Sequence, residues 1–545
     1  MPIETMLTEK RIREYTSKGL WSDQTIGDYL EDAIRKYPDK IAVVDSRGKK
    51  LSYAELGTIS RRLALGFLKL GLKKGDIVSV QLPNCIEYTC LYFAFARMGV
   101  AFNMLNATYR HSEVKNILQF CESKSVFIPD VFRKFNYVQM IQEMKSDLPA
   151  LKHIFVIGDR IPDGMMSYEA FASKKWEDEG SAEDLERNKP AANDILAIIF
   201  TSGTEAQPKG VLHTHNTIVS GEKSFIKALE LTSDDVCFMP SPLTHATGFA
   251  HAVNLPMLLG QKSVSLDIWE PESALKLIEK ERCTFSMGAT PFVRTLLDCP
   301  NLSKYDISSL KFFLCGGAPV QKELMADGAR IGIKILPVYG LTESIPHVTG
   351  RLSDPPEKVY GTDGRACPDI DVTIRDEFRK VVPFGTTGEE ASRGPNVFVG
   401  YFKRPDLNQK SFDEDGWFYS GDLARMDADG NLIIEGRIKD IIIRGGQNIS
   451  VKEVEDLLLT HEKIYNVAIV GIPDRKMGEK ACACIIPKSG ETVTLDDVTS
   501  FLKEKKVAMF KLPERIEIMS DFPMTASGKI QKYMIRNRIA ETVKG

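Results

Sequence analysis

The stretch ILAIIFTSGTEAQPKGVLHTHN, residues 195–216, changes character after its first six residues. Ile195–Phe200 predicts a short buried strand, an apolar run bounded by turn-forming residues. It leads into Thr201, Ser202, Gly203 and Thr204, and then into Pro208, Lys209 and Gly210. Hydroxyls, loop amides and one lysine supply many donors and a point charge, which suits phosphate oxygens, while glycines let the main chain come close. The GK[ST] ending of a Walker loop is missing. Taken alone, the stretch is equally an ordinary polar turn between strands, so its meaning rests on what surrounds it.

Upstream, LSYAELGTISRRLALGFLKLGL (51–72) spaces apolar residues at helical intervals and stops at Gly71. IVSVQL (77–82) predicts a strand, a Pro-Asn break follows, and an apolar helix is predicted around Ile86–Met98. Such alternation predicts an α/β fold whose parallel sheets are layered with helices. The charged stretch Lys174–Pro190 reads as a surface linker. Downstream, alternation continues to about residue 350; then Gly, Pro and Asp thicken, and VTIRD and LIIEG predict a β-rich subdomain.

GRIKDIIIRGG (436–446) brackets a short apolar strand with charges and glycines. Beyond it, a helix over Val451–His461, strands at VAIVGI and ACACII, and a helix over Leu495–Lys505 suffice for a small α+β domain. The boundary is placed at 436–440, giving an N-terminal domain of residues 1–436 and a C-terminal domain of 437–545. Cys482 and Cys484 alternate along ACACII and are expected on one strand face.

Composition removes several classes. The 545 residues carry 71 basic and 74 acidic side chains, a net charge of −3, which gives no basic field for nucleic acid. With 43% apolar and 27% charged residues the chain is globular in composition. Its longest apolar runs fall far short of the ~20 residues of a membrane span, and MPIETMLTEKRIREY lacks the apolar core of a secretion signal. Ten cysteines without a CxxC pair predict neither a disulfide framework nor a zinc site, so a reducing, cytoplasmic location is expected.

TSGT, PKG and the following THN resemble the phosphate loop of the adenylate-forming superfamily, which includes acyl-CoA synthetases, peptide-synthetase adenylation domains and firefly luciferase. The other signatures follow in order. GGAPV (316–320) is similar to the adenine-side loop, with Gly316, Gly317 and Ala318, and YGLTE (339–343) to the loop at the α-phosphate and magnesium, with Tyr339 and Gly340. YSGDLA (419–424) resembles the ribose motif, GRIKD (436–440) the ribose arginine and domain hinge, and GGQNIS (445–450) a C-terminal loop used in the second half-reaction. PMTASGKIQK (523–532) resembles the segment of the catalytic lysine.

The resemblance implies a large N-terminal domain and a small mobile C-terminal domain turning about Lys439. It implies ATP and coenzyme A as co-substrates, and Mg²⁺. Thr201, Ser202, Gly203, Thr204 and Lys209 would bind phosphate, Thr342 the AMP phosphate, and Glu343 the Mg²⁺. Asp422 would accept the ribose hydroxyls beside Arg437. Lys529 would reach the substrate carboxylate and α-phosphate, and Gly445 and Gly446 would give pantetheine room. A lone lysine in such a turn, or an aspartate after glycine, is ordinarily a solvated surface or turn residue; the ordered set of motifs gives these residues their roles.

Two positions depart from the pattern. Glu205 and Ala206 stand where the family has Thr or Ser followed by Gly, and the Glu205 carboxylate is expected to point away from ATP at the loop's tip. Val451 replaces a usual proline. His245, in MPSPLTHATGFAH (239–251), matches the family's gate beside the substrate carboxylate. SMGATPF (286–292) and SIPHV (344–348) add no cation or carboxylate to the pocket, and no aspartate stands ready for a substrate ammonium. The small-molecule partner is therefore expected to be an apolar medium-chain or alicyclic carboxylic acid activated by an acid–thiol ligase. The alternatives are an aryl-acid (benzoate-like) CoA ligase and a catalytically silent acyl-adenylate or nucleotide sensor. A homodimer stays open.

Overall fold

The structure is a computed structural model and describes residues 3–201, 209–316, 320, 322–444, 447–474, 476–525 and 529–544. The chain forms two compact units. One is Met1–Val359 with Ala366–Asp371 and Arg393–Gly416; the other is Tyr360–Arg365 with Val372–Ser392 and Trp417–Gly545.

The first unit contains the α/β alternation expected from sequence, organised as two sheets. One runs in the order 209–214, 195–201, 101–104, 77–80, 125–129, 153–157, 166–167, parallel except for its first pair. In the other, strands 334–341, 312–315, 285–288, 236–239, 262–265 and 41–45 are parallel, and antiparallel strands 344–349 and 50–52 flank them.

Helix Ile86–Met98 is buried on almost every side, which accounts for its apolar run, and it ends where Gly99 takes a left-handed φ of 65°. Helix Tyr53–Lys69 starts at a capping box formed by Ser52 and Glu55. Its Phe67 stacks on Phe95 and Phe171 at 4.6 and 4.9 Å. Residues 174–190 are not a linker. They fold into a 3-10 turn, Trp176–Asp178, and a helix, Ala182–Arg187. The Trp176 indole is buried and packs so close to Gly66 that a Cβ there would lie 2.6 Å from its Nε1. One apolar side chain within a charged stretch thus anchors the segment.

The second unit has an antiparallel set in the order 388–393, 418–426, 431–437, 364–366, and a C-terminal α+β part. The centre of that part is the hairpin of strands Ile464–Asp474 and Gly478–Pro487. Side-chain alternation gives it two small cores. Val467, Ile469, Ala481 and Ile485 pack with Val454, Leu458, Val498 and Leu502 on one face. Val470, Ile472, Cys482 and Cys484 meet Phe522, Ile535 and Ile539 on the other, so the two cysteines do share a face. Val451 opens helix Val451–Leu458, which Ser450 caps. All ten cysteines are thiols. Among the described residues no helix is long and apolar enough to cross a membrane.

Candidate active site

The expected phosphate loop closes a hairpin. Thr201 and Lys209 are opposed at its base, where strand Ile195–Thr201 pairs with Lys209–Thr214, and both are half-buried. Ser202, Gly203 and Thr204, with Glu205 and Ala206, lie outside the described residues. After the second strand, Thr214 and Thr217 form the capping box of helix His215–Leu229. Gly221 on that helix packs against strand Ser344–Thr349, where a Cβ would come within 2.2 Å of the Ile345 carbonyl oxygen.

Thr342 and Glu343 occupy the tip of a second hairpin, between the paired residues Leu341 and Ser344, with a register shift at Gly340. Tyr339, on the first strand of this hairpin, meets the His347 ring edge-on at 4.9 Å. Three contacts lock the tip in place. The Tyr401 hydroxyl donates to Glu343 Oε1 at 2.7 Å. The Phe398 N–H donates to the Glu343 carbonyl at 2.8 Å. His213 Nε2 lies 2.7 Å from the Thr342 carbonyl oxygen, and its Nδ1 3.1 Å from Thr217 Oγ1. A carbonyl only accepts, so Nε2 carries the proton. Burial lowers the His213 pKa to about 4 and keeps the ring neutral. Lys209 Nζ stands 5.9 Å from the Tyr401 ring centre.

The segment from Val397 to Phe402 joins the two hairpins. Leu212 N–H donates to Gly400 O, Val399 N–H to Leu212 O, and Phe402 N–H to Gly210 O, at 3.0, 2.9 and 2.7 Å. Sequence reading missed His213, Tyr401 and this strand-like segment. The signal available was the polar His213 directly after the apolar pair Val211–Leu212, next to a better-matching TH pair.

The remaining loops of this unit leave the C-terminal ends of neighbouring parallel strands 236–239, 285–288, 312–315 and 334–341, the edge where open α/β sheets bind ligands. Gly316 follows the third of these strands, and a Cβ there would meet the Val338 carbonyl oxygen at 2.6 Å. Gly317 and Ala318 lie outside the described residues. His245 is half-buried and caps the turn Ala246–Gly248, its Nδ1 accepting from Thr247 N–H at 3.3 Å. Asn84 fixes the approach to this turn. Its amide donates to Ser241 O and Leu266 O, both at 2.9 Å, and accepts from Leu243 N–H at 2.7 Å. A single π-turn, Phe249–Asn254, follows, and the Asn254 amide donates to the Phe249 carbonyl at 2.9 Å.

In the second unit Asp422 and Arg437 are direct cross-strand partners, with Arg437 Nε 2.9 Å from Asp422 Oδ1. Asp422 is 3% exposed, and its backbone N–H donates to the Ser420 hydroxyl oxygen at 3.1 Å. Lys439 belongs to the turn Ile438–Asp440, and its side chain lies outside the described set. Gly445 and Gly446 also lie outside it; the flanking Arg444 and Gln447 are paired. Lys529 is exposed; its backbone N–H donates to the Thr525 hydroxyl at 3.0 Å, and its carbonyl accepts from Thr525 N–H at 2.8 Å.

Two family models match the chain: AMP-binding enzyme over residues 30–402, and AMP-binding enzyme C-terminal domain over 453–529. The chain belongs to the AMP-binding enzyme family. A medium-chain fatty-acid–CoA ligase of Escherichia coli K12 is 41% identical over 540 residues, covering 99% of this chain and 94% of the relative. A 2,3-dihydroxybenzoate-AMP ligase of Bacillus subtilis is 32% identical, with 97% and 96% covered. The ATP-bound crystal structure of MatB from Rhodopseudomonas palustris superposes with a TM-score of 0.85 at 28% identity, covering 95% of this chain and 100% of that one. The α/β architecture, with a large N-terminal and a small C-terminal part, is that of this family.

Proposed function

We propose that the protein is an ATP-dependent, AMP-forming acyl-CoA ligase acting on a medium-chain or alicyclic carboxylic acid. The observation that carries this reading is the joined pair of hairpins, which brings Thr201, Lys209, Thr342 and Glu343 into one hydrogen-bonded group. Full-length similarity to a medium-chain fatty-acid–CoA ligase supports the substrate class. The aryl-acid relative supports the second reading, a benzoate-like acid.

A carboxylate is a poor acyl donor because oxide would have to leave. In the first step the carboxylate oxygen attacks the α-phosphorus of ATP, and pyrophosphate departs with the electron pair of the broken P–O bond. In the second, the sulfur of coenzyme A attacks the acyl carbon, AMP leaves, and the thiol proton is released. Two anions meet in the first step, so aimed cations and donors dominate. Lys529 and Lys209 would supply charge, and the Thr342 hydroxyl a donor to the α-phosphate. Asp422 with Arg437 would hold the ribose, and His245 would gate the carboxylate end of the acyl pocket. Lys439 would be the hinge that exchanges Lys529 for the Gly445–Gly446 loop between steps.

The donor set fits magnesium. A carboxylate offers about four lone-pair sites, Tyr401 uses one on Glu343, and Mg²⁺ is ordinarily held by one or two carboxylates plus substrate phosphates. When bound, the ion neutralises phosphate charge.

Pyrophosphate release is measured first, with straight-chain acids of roughly four to twelve carbons, cyclohexanecarboxylate and benzoate. Release with a medium-chain or alicyclic acid supports the proposal, release with benzoate alone moves the assignment to the aryl reading, and no release with any acid favours a silent sensor. Lys529→Ala is expected to lower adenylate formation by roughly 10²–10³-fold. It should still convert supplied acyl-AMP to acyl-CoA at a substantial rate. Equal loss of both half-reactions would sink the role given to Lys529.

A further inference from the structure

Glu455 is a carboxylate inside the C-terminal α+β part that no step above uses. It sits on helix Val451–Leu458 and is 14% exposed at its side chain. Burial raises its pKa, an effect that the Lys532 ammonium opposes. The carboxylate accepts the Ile469 N–H at 2.6 Å, and Lys532 Nζ stands 2.7 Å from Oε1 and 2.8 Å from Oε2. Lys532 is the first residue of the last helix, Lys532–Lys544, and lies three residues beyond Lys529.

The hydrogen bonds that tie residues 529–531 to residues 523–525 define a small lever. Gln531 N–H donates to Pro523 O at 2.7 Å, Met524 and Ile530 form an antiparallel bridge, and Thr525 N–H donates to Lys529 O at 2.8 Å while Lys529 N–H donates back to the Thr525 hydroxyl at 3.0 Å. Residues 523–525 and 529–531 are therefore two legs, and the second leg runs straight into Lys532. The helix beyond is fixed by Ile535 and Ile539 against Cys482, Cys484 and Phe522. Lys529 itself is exposed. The charge pair is the tie between the foot of these legs and two elements of the fold, helix Val451–Leu458 and strand Ile464–Asp474.

We propose that Glu455 and Lys532 are a positioning pair for Lys529, fixing the foot of the legs that present its ammonium for adenylate formation. This rests on the role given to Lys529 above. A displacement of about 1 Å at a reacting group costs on the order of 10²-fold in rate. An unpaired charge left in a buried position drives such a displacement. The demand is one-sided. The first step joins two anions and needs the cation in place, whereas the second acts on the uncharged carbonyl of the acyl-adenylate.

Adenylate formation, read as pyrophosphate release, and thioester formation from supplied acyl-AMP are measured separately in the full-length protein for Lys532→Met, Glu455→Gln, the double variant and Lys532→Arg. Thermal unfolding is followed for each. Lys532→Met should lower adenylate formation by roughly 10–100-fold. Thioester formation should change far less, Lys532→Arg should stay close to the parent, and the double variant should lose less than the sum of the singles. If Lys532→Met fails to fold, the uncharged double variant gives the same comparison without a stranded carboxylate. A parallel fall of both half-reactions in folded variants would show the pair to be structural, and unchanged rates would show it to be idle. Either result overturns the inference while Lys529→Ala can still behave as proposed. A parent protein that forms no adenylate with any acid would remove the functional reading, and this inference with it.

Discussion

The two units hold their candidate site residues by different means. In the first, backbone ladders and hydrogen bonds do the holding: Thr201 opposite Lys209, Leu341 opposite Ser344, His213 on the Thr342 carbonyl, the Tyr401 hydroxyl on the Glu343 carboxylate. In the second, ion pairs do it: Arg437 with Asp422, and Lys532 with Glu455. Both units use antiparallel hairpins at these residues, so the difference lies in the ties: main-chain hydrogen bonds from the segment Val397–Phe402 join the two hairpins of the first unit, whereas a cross-strand or cross-element charge pair fixes the side chain in the second. Acid and charge-removing substitutions should therefore find different weak points.

The largest effect expected is on the first unit in acid. Burial lowers the pKa of both His213 and His215 to about 4. Below the ordinary value near 6.5 the unfolded chain takes up a proton at each ring, while the folded chain does so only near pH 4. Stability is thus complete above pH 6.5 and falls as the pH drops through that window. Between pH 7.5 and 5.0 the loss is about 2 kcal/mol per ring. Urea unfolding at the two pH values should show it, and replacing His215 with Gln should remove about half. An unfolding midpoint that does not move between these values would break the contrast.

The second unit is tested by Asp422→Asn, which keeps the shape and removes the charge. The hydrogen bonds to the ribose become neutral and the ion pair with Arg437 becomes a bond between a cation and an amide, a loss of about 2–3 kcal/mol. The expected outcome is a KM for ATP raised about 10²-fold with kcat changed much less. Because Arg437 is 41% exposed at its side chain, added salt should weaken the parent's ATP binding more than the variant's. A variant with the parent's KM would detach Asp422 from the nucleotide.

Much of this was legible in the sequence where a local pattern and a physical demand coincide. The apolar run Ile195–Phe200, the helix Ile86–Met98 and the alternation of Cys482 and Cys484 each follow from a period that one segment can satisfy alone. Asp422 and Arg437 were expected side by side, and the structure pairs them across one ladder. What escaped depends on partners far along the chain. Trp176 turns a charged stretch into packed structure because Gly66, 110 positions earlier, leaves room for its indole. His213 gains its meaning from a carbonyl 129 residues away, and Glu455 from a lysine 77 residues away. No window of local periodicity contains such pairs.

The smallest effect expected sharpens the comparison most. Tyr401→Phe removes a hydroxyl that donates to Glu343 Oε1 and keeps the ring that faces Lys209 at 5.9 Å. The backbone ties of the same tip, Phe398 N–H to the Glu343 carbonyl and His213 to Thr342, are untouched. If the first unit is held by many separate contacts, losing this one, a hydroxyl on a carboxylate, should cost about 1.5 kcal/mol, the low end for a hydrogen bond to a charged group. That is a rise of roughly 10-fold in the KM for magnesium-ATP, without a shift in the pH dependence of stability. A loss of 10²-fold or more would mean that a single hydroxyl carries the carboxylate's orientation. The first unit would then depend on one contact as strongly as the second depends on its charge pairs.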